Sequence, residues 1–137
     1  MISSLVAALV LSLSGQGGAS WVWSYYDGDG AVVLAREIPD TPNLSAVLEC
    51  TPGSGVVHLT MYEPDARPDF VNVTVGEVSA DVERVAGDGL SVRLGLDHPI
   101  LHAFGQGHAL TVSAGSQSAS VAAPHPRLMS AFRSACR

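Results

Sequence analysis

Most of the chain consists of short runs rich in valine, leucine and threonine, separated by glycine and proline at close intervals. Such runs predict β-strands. The clearest is residues 71–75, where valine alternates strictly with polar residues, as in a strand with one buried face. Paired runs on either side of glycine-containing turns predict four β-hairpins. Their turns lie at residues 27–30, 51–55, 86–89 and 114–116.

Eight or nine short strands without an intervening helical pattern predict an all-β fold, either an antiparallel β-sandwich or a small barrel. The connections are too short for a parallel α/β fold. Residues 97–104 fit either a short helix that begins near Pro99 or a loop. Residues 63–69 contain two prolines and four charged side chains, so they cannot form a central strand, and we expect a flexible segment there.

The hydrophobic period changes at the end of the chain. Leu128, Phe132 and Cys136 are spaced four residues apart, while arginine and serine take most of the remaining positions. This pattern predicts one amphipathic helix over about residues 126–136. Pro126 suits the first turn of that helix.

The first nineteen residues carry no charged side chain, and residues 5–13 form an apolar run of the length found in signal peptides. A membrane-spanning helix would need about 20 apolar residues. The small residues that end at Ala19 predict cleavage there, although no Lys or Arg precedes the apolar run. A buried N-terminal strand or helix is the alternative. We therefore divide the chain into a signal peptide, residues 1–19, and a single β-rich domain, residues 20–137, with no transmembrane segment after cleavage.

Composition narrows the possible partners. Among 137 residues, 47% are hydrophobic and 15% are charged, and the net charge of -6 comes from 13 acidic residues against seven arginines. The charged fraction is below the roughly 25% of typical domains. The chain lacks the cationic patch that nucleic-acid binding requires, so nucleic acid is excluded as a partner.

The two cysteines agree with export. The chain has two cysteines, Cys50 and Cys136, and we expect it to reach an oxidising compartment. The default prediction is therefore one disulfide. A reactive thiol is the alternative, although no C-x-x-C spacing exists and Cys136 is the penultimate residue.

The sequence contains only weak candidates for a metal site or a catalytic site. His98, His102 and His108 lie within eleven residues, but no zinc motif such as H-E-x-x-H is present. Residues 27–30, Asp-Gly-Asp-Gly, resemble the start of a calcium loop but lack its later ligands, so a hairpin turn is favoured. No G-x-S-x-G motif occurs. We assign no catalytic residue, no metal ligand and no cofactor.

The aromatic residues give the better functional clue. In an extended strand Trp21, Trp23 and Tyr25 point to one face. If that face is exposed, the row can stack on sugar rings or anchor a protein partner. If it is buried, the row belongs to the core, which we favour, and Ser24 and Tyr26 face water.

Several features together resemble a group of small uncharacterised exported proteins of GC-rich proteobacteria. These features are the signal peptide, the early strand with Trp21 and Trp23 before an Asp-Gly turn, the sequence Cys-Thr-Pro-Gly at residues 50–53, and the closing helix that ends Phe-Arg-Ser-Ala-Cys. The resemblance implies the Cys50–Cys136 pairing and export, and it implies no substrate.

The sequence therefore predicts a periplasmic or secreted domain with a non-catalytic role in binding or envelope structure. Its partner would be an unidentified protein or glycan, and the candidate ligand-binding residues are Trp21, Trp23 and Tyr25. The alternative is a metal-binding protein or hydrolase that uses the region from His98 to His108.

Overall fold

The structure, a computed structural model, describes residues 20–137, so the predicted signal peptide lies outside the described residues. Nine strands and two helices follow one another along this part of the chain. In chain order they are β1 (Val22–Gly28), β2 (Ala31–Glu37), β3 (Leu44–Cys50), β4 (Val56–Met61), β5 (Phe70–Val75), β6 (Val78–Val85), β7 (Leu90–Gly95), α1 (Pro99–Gly105), β8 (Leu110–Ala114), β9 (Gln117–Val121) and α2 (Pro126–Cys136).

All nine strands belong to one open sheet with the order β1-β2-β3-β4-β7-β6-β5-β8-β9. Every neighbouring pair is antiparallel. The predicted all-β class, with eight or nine strands and a C-terminal helix, is confirmed. Within the described residues β1 and β9 are the two edges of the sheet. Because strand direction alternates across nine strands, the two edge strands run in the same direction.

The four predicted hairpin turns all connect antiparallel neighbours. Two further pairs of consecutive strands, β2 with β3 and β5 with β6, are also antiparallel neighbours and were not predicted. Gly76 adopts a φ of 60°, which allows a tight turn between Val75 and Val78. β6 therefore begins earlier than its sequence pattern indicates and pairs along the whole of β5, while only Arg84 and Val85 reach β7. β6 thus joins the two halves of the sheet.

One hydrophobic cluster contains the inner faces of both halves of the sheet. Leu34, Leu48 and Leu59 come from one half, and Val73 and Val112 come from the other, all of them buried. The helices add Phe104 and Phe132 to the same cluster. The two halves of the sheet and both helices therefore share one core.

Both helices begin with the same local motif, a histidine followed by a proline. The Nδ1 atom of His98 accepts a hydrogen bond from the backbone N–H of Ile100 at 3.0 Å, and the Nδ1 atom of His125 accepts one from Arg127 at 3.1 Å. These contacts satisfy backbone donors that a helix start leaves free. For residues 97–104 the structure thus selects the short helix. Neither described helix is long and apolar enough to cross a membrane.

The C-terminal helix occupies the predicted residues, and its buried face is close to the predicted one. Met129, Phe132 and Cys136 are buried, while Leu128 is half-buried against the core. The sulfur atoms of Cys50 and Cys136 lie at disulfide-bonding distance, with their Cα atoms 5.8 Å apart. This bond joins the end of β3 to the end of α2, as the cysteine count predicts.

Candidate functional site

Trp23, the middle member of the aromatic row, is anchored to the rest of the fold. Its ring meets the ring of Phe104 edge to face, with the centroids 5.9 Å apart. Its Nε1 donates a hydrogen bond to the backbone oxygen of Ala122 at 2.9 Å. Ala122 directly follows β9, so the indole bridges the two edges of the sheet. Because both the ring and the donor of Trp23 have partners, this residue is part of the framework.

Tyr25 also packs against the core and is only partly exposed. Its hydroxyl donates a hydrogen bond to the Oδ2 atom of Asp27 at 3.5 Å. Burial first, and then the negative charge of Asp27, raise the pKa of the Tyr25 phenol. On the opposite face of β1, Tyr26 is exposed and donates a hydrogen bond to Glu37, while Ser24 is half-buried.

Trp21, the first member of the row, has a different environment from the other two. It precedes β1 and keeps 39% of its surface exposed. It lines a groove of about 280 Å³ together with Leu44 and Tyr62, which are exposed to a similar degree. The opposite wall of this groove contains Ala119 and Ser120 of β9. The structure therefore splits the predicted row, because Trp23 and Tyr25 pack on the core and Trp21 faces a groove.

A second cavity, of about 450 Å³, continues along the same edge of the sheet. It is lined by Gln117 and Ser118 of β9 and by the segment from Glu63 to Asp65. Glu63 lines both cavities. We call the two cavities together the β9 groove, because four successive residues of that strand, 117–120, form one wall from end to end.

Tyr62 connects the β9 groove to a group of carboxylates on the outer face of the sheet. It also lines a smaller cavity of about 230 Å³, which contains Glu49, His58 and Asp88. Burial first, and then the charges of Asp88 and Glu49, raise the pKa of the Tyr62 phenol. A tyrosine phenol is protonated at neutral pH, so its hydroxyl can donate a hydrogen bond at the groove.

Sequence reasoning did not select Tyr62 or Glu63. A signal was present, because Tyr62 ends the predicted fourth strand and Glu63 opens the segment with two prolines. What the sequence could not show is that β9, nearly sixty residues later, forms the opposite wall.

The three histidines of the alternative hypothesis have separate positions. His98 caps α1 through its Nδ1 atom, and His102 and His108 are exposed. Within residues 20–137, no three side chains of His, Cys, Asp or Glu come together as metal ligands would. Residues 27–30 form the predicted hairpin turn, with Asp29 and Gly30 at φ values of 51° and 84°.

Comparison of the chain with protein-family models, with curated proteins and with solved structures finds no match. The resemblance to exported proteobacterial proteins therefore stays a prediction, and the β9 groove must be interpreted from its own chemistry.

Proposed function

We propose that this protein is an exported, periplasmic or secreted, non-catalytic domain that binds a partner at the β9 groove. One observation carries the proposal. Trp21, Leu44 and Tyr62 are three large exposed hydrophobic residues that line a single groove. Exposed aromatic side chains in a concave surface bury much apolar area at a small entropic cost, which is typical of recognition sites.

The proposed location is supported by the covalent chemistry of the domain. The sulfur atoms of Cys50 and Cys136 lie at bonding distance, and disulfides of this kind persist in oxidising compartments. The apolar, uncharged residues 5–13 fit an export signal. We expect that protein recovered from the periplasm or culture medium of a bacterial host begins at Ser20. A mature protein that retains residues 1–19 would contradict the predicted cleavage.

The binding proposal is tested by comparing two exposed aromatic residues. Trp21→Ala removes the indole from the groove, whereas Phe70→Ala removes a ring that is 64% exposed outside the groove. Both variants and the wild type are screened on a glycan array and against displayed random peptides. We expect Trp21→Ala to abolish the binding signals that the wild type gives, and Phe70→Ala to leave them unchanged.

Equal losses in the two variants would show that the signal comes from general surface stickiness. Unchanged binding by Trp21→Ala would remove the groove from consideration as the binding site. The melting temperature of each variant serves as the folding control, because Trp21 is largely outside the core.

A further inference from the structure

The wall that β9 contributes to the groove is a free strand edge within the described sheet. Ala114 pairs with Gln117 across a two-residue turn, in which Gly115 has a φ of 65°. In such a hairpin the closing pair exchanges backbone hydrogen bonds, and hydrogen-bonded and non-hydrogen-bonded pairs then alternate along the ladder. The N–H and C=O groups of Ser118 and Ser120 therefore point away from β8, towards the groove.

This edge lacks the features that usually protect a strand from pairing with another chain. Natural edge strands are commonly blocked by charged side chains, prolines or bulges. β9 reads Gln-Ser-Ala-Ser-Val, which contains no charge and no proline, and its register with β8 is regular. The sequence of β9 itself therefore contains nothing that would block pairing with an additional strand.

Strand directions specify which way an additional strand would run. β1 and β9 run in the same direction because the sheet has nine alternating strands. One further strand placed beside the outer edge of β9 would be antiparallel to it if it continued the alternation of the sheet. The hydrogen bond from Trp23 to Ala122 occupies the space beyond the end of β9, so an added strand would lie along residues 117–120, which line the groove.

The groove is negatively charged where it faces Ser118. Glu63 and Asp65 line the cavity at this point. Within residues 20–137 only two ion pairs form, Asp65 with Arg67 at 3.6 Å and Asp97 with Arg137 at 3.7 Å, so Glu63 has no cationic partner there. The negative net charge of the chain adds to the attraction of a basic ligand.

We propose that the β9 groove binds an extended, basic peptide segment of a partner protein, which pairs antiparallel with β9. This inference rests on the proposed binding function and specifies the chemistry of the ligand. The peptide's backbone forms hydrogen bonds with the N–H and C=O groups of Ser118 and Ser120, as in other cases of strand addition. An apolar side chain of the peptide lies against Trp21, at one end of the groove, and a lysine or arginine side chain lies near Glu63 and Asp65, at the other end.

The proposal predicts a sequence pattern in the ligand. The peptide runs opposite to β9, so the residue at the Trp21 end of the groove, beside residues 119–120, precedes the residue at the Asp65 end, beside residues 117–118. Alternate residues of a strand share a face. Peptides that bind the groove should therefore contain an apolar residue two positions before a lysine or arginine.

The experiment selects binders from a displayed library of random peptides, using the oxidised protein as the target, and measures the affinity of the selected peptides by calorimetry. Ser118→Pro removes the outward N–H, which an edge position tolerates, and Ser118→Ala is the matched control that retains it. We expect Ser118→Pro to weaken binding about tenfold, because a backbone hydrogen bond is lost and its partner in the peptide is left unpaired. Ser118→Ala should have little effect.

The charge is tested by Glu63→Gln, with Glu77→Gln in the turn between β5 and β6 as its matched control. We expect a severalfold loss of affinity for Glu63→Gln alone, which decreases as salt is added. If Ser118→Pro does not fold, peptides N-methylated at alternate amides replace it, because they remove donors from the ligand and leave the protein unchanged.

Three results would overturn the proposal. They are the absence of selected peptides, selected peptides without the apolar and basic pattern, and equal losses for Ser118→Pro and Ser118→Ala. A glycan that binds in a manner dependent on Trp21 but insensitive to Ser118→Pro would retain the binding function and reject strand addition. If the protein self-associates and Ser118→Pro abolishes the self-association, the occupant of the groove is a second copy of this chain. That result would also reject a basic partner peptide.

Discussion

The two edge strands of the sheet differ in almost every respect. β1 carries Trp23, Tyr25 and Tyr26, and each of these side chains has a partner within the fold. β9 carries only glutamine, serine, alanine and valine, and its outer backbone faces the groove. Conspicuous aromatic residues thus mark the edge that is most firmly held. The edge with the least distinctive sequence is the one at which we propose that a partner binds.

The largest expected effect comes from the covalent bond that holds the segment after β9 against the other half of the sheet. Replacing both Cys50 and Cys136 by alanine removes a cross-link between residues 86 positions apart. In the chain-entropy model such a loop is worth about 4 to 5 kcal/mol of unfolding free energy. Chemical denaturation of the double variant and the oxidised wild type would measure the difference.

The control for this prediction is the wild type in reducing agent, which should unfold at the same denaturant concentration as the double variant. A double variant as stable as the oxidised wild type would show that α2 stays docked through its apolar contacts alone. The contrast between a cross-linked β9 side and a side-chain-anchored β1 would then disappear.

A smaller effect separates the two tryptophans, which lie two residues apart. Trp23→Ala removes the contact with Phe104 and the hydrogen bond to Ala122, and we expect a loss of about 3 kcal/mol. Trp21→Ala removes a ring from the groove and should cost less than about 1 kcal/mol. Urea denaturation of the two variants under identical conditions compares them directly. Similar losses would mean that both rings belong to the core.

The smallest effect concerns the outer face of β1 and depends on pH. The hydrogen bond from Tyr26 is the main reason that the pKa of Glu37 is lowered in the folded protein. A lowered folded-state pKa contributes stability above the unfolded pKa of a glutamate, about 4.3, and this contribution disappears as the pH falls through the folded value. Tyr26→Phe should therefore lose stability at neutral pH and converge with the wild type in acid.

The measurement for this pair is the melting temperature of both proteins between neutral and acidic pH. Because Tyr26 is exposed and Glu37 is only partly buried, the difference should be small and should shrink in high salt. A difference that stays constant with pH would assign the effect to packing of the ring instead of to the hydrogen bond.

Local features of the fold were predictable because they depend on neighbouring residues. Turn chemistry at residues 27–30 and the apolar spacing of α2 act over a few positions, and the structure contains both. The hairpin at Gly76 was missed because it joins an alternating strand to a more polar one, which conceals the turn. The sequence near β6 could not show which strands pair with it, since pairing depends on how distant parts of the chain fold beside it.

The groove was less predictable than the fold. Trp21 was selected for its chemistry, but Trp23 and Tyr25 were selected with it because all three share one strand face in an extended chain. Only the position of Phe104, from a helix some eighty residues away, shows that Trp23 is part of the framework. The chain alone gives no indication that Ser118 and Ser120 border the same groove as Trp21.

The sequence by itself determined the all-β class, the C-terminal helix and the pairing of Cys50 with Cys136. These follow from local backbone preferences, from the period of the apolar residues and from the presence of two cysteines. The tertiary structure decided which aromatic residues are anchored and which edge strand of the described residues borders the groove. Those properties depend on contacts between residues far apart in the chain, and a side chain's exposure is set by what the fold brings against it.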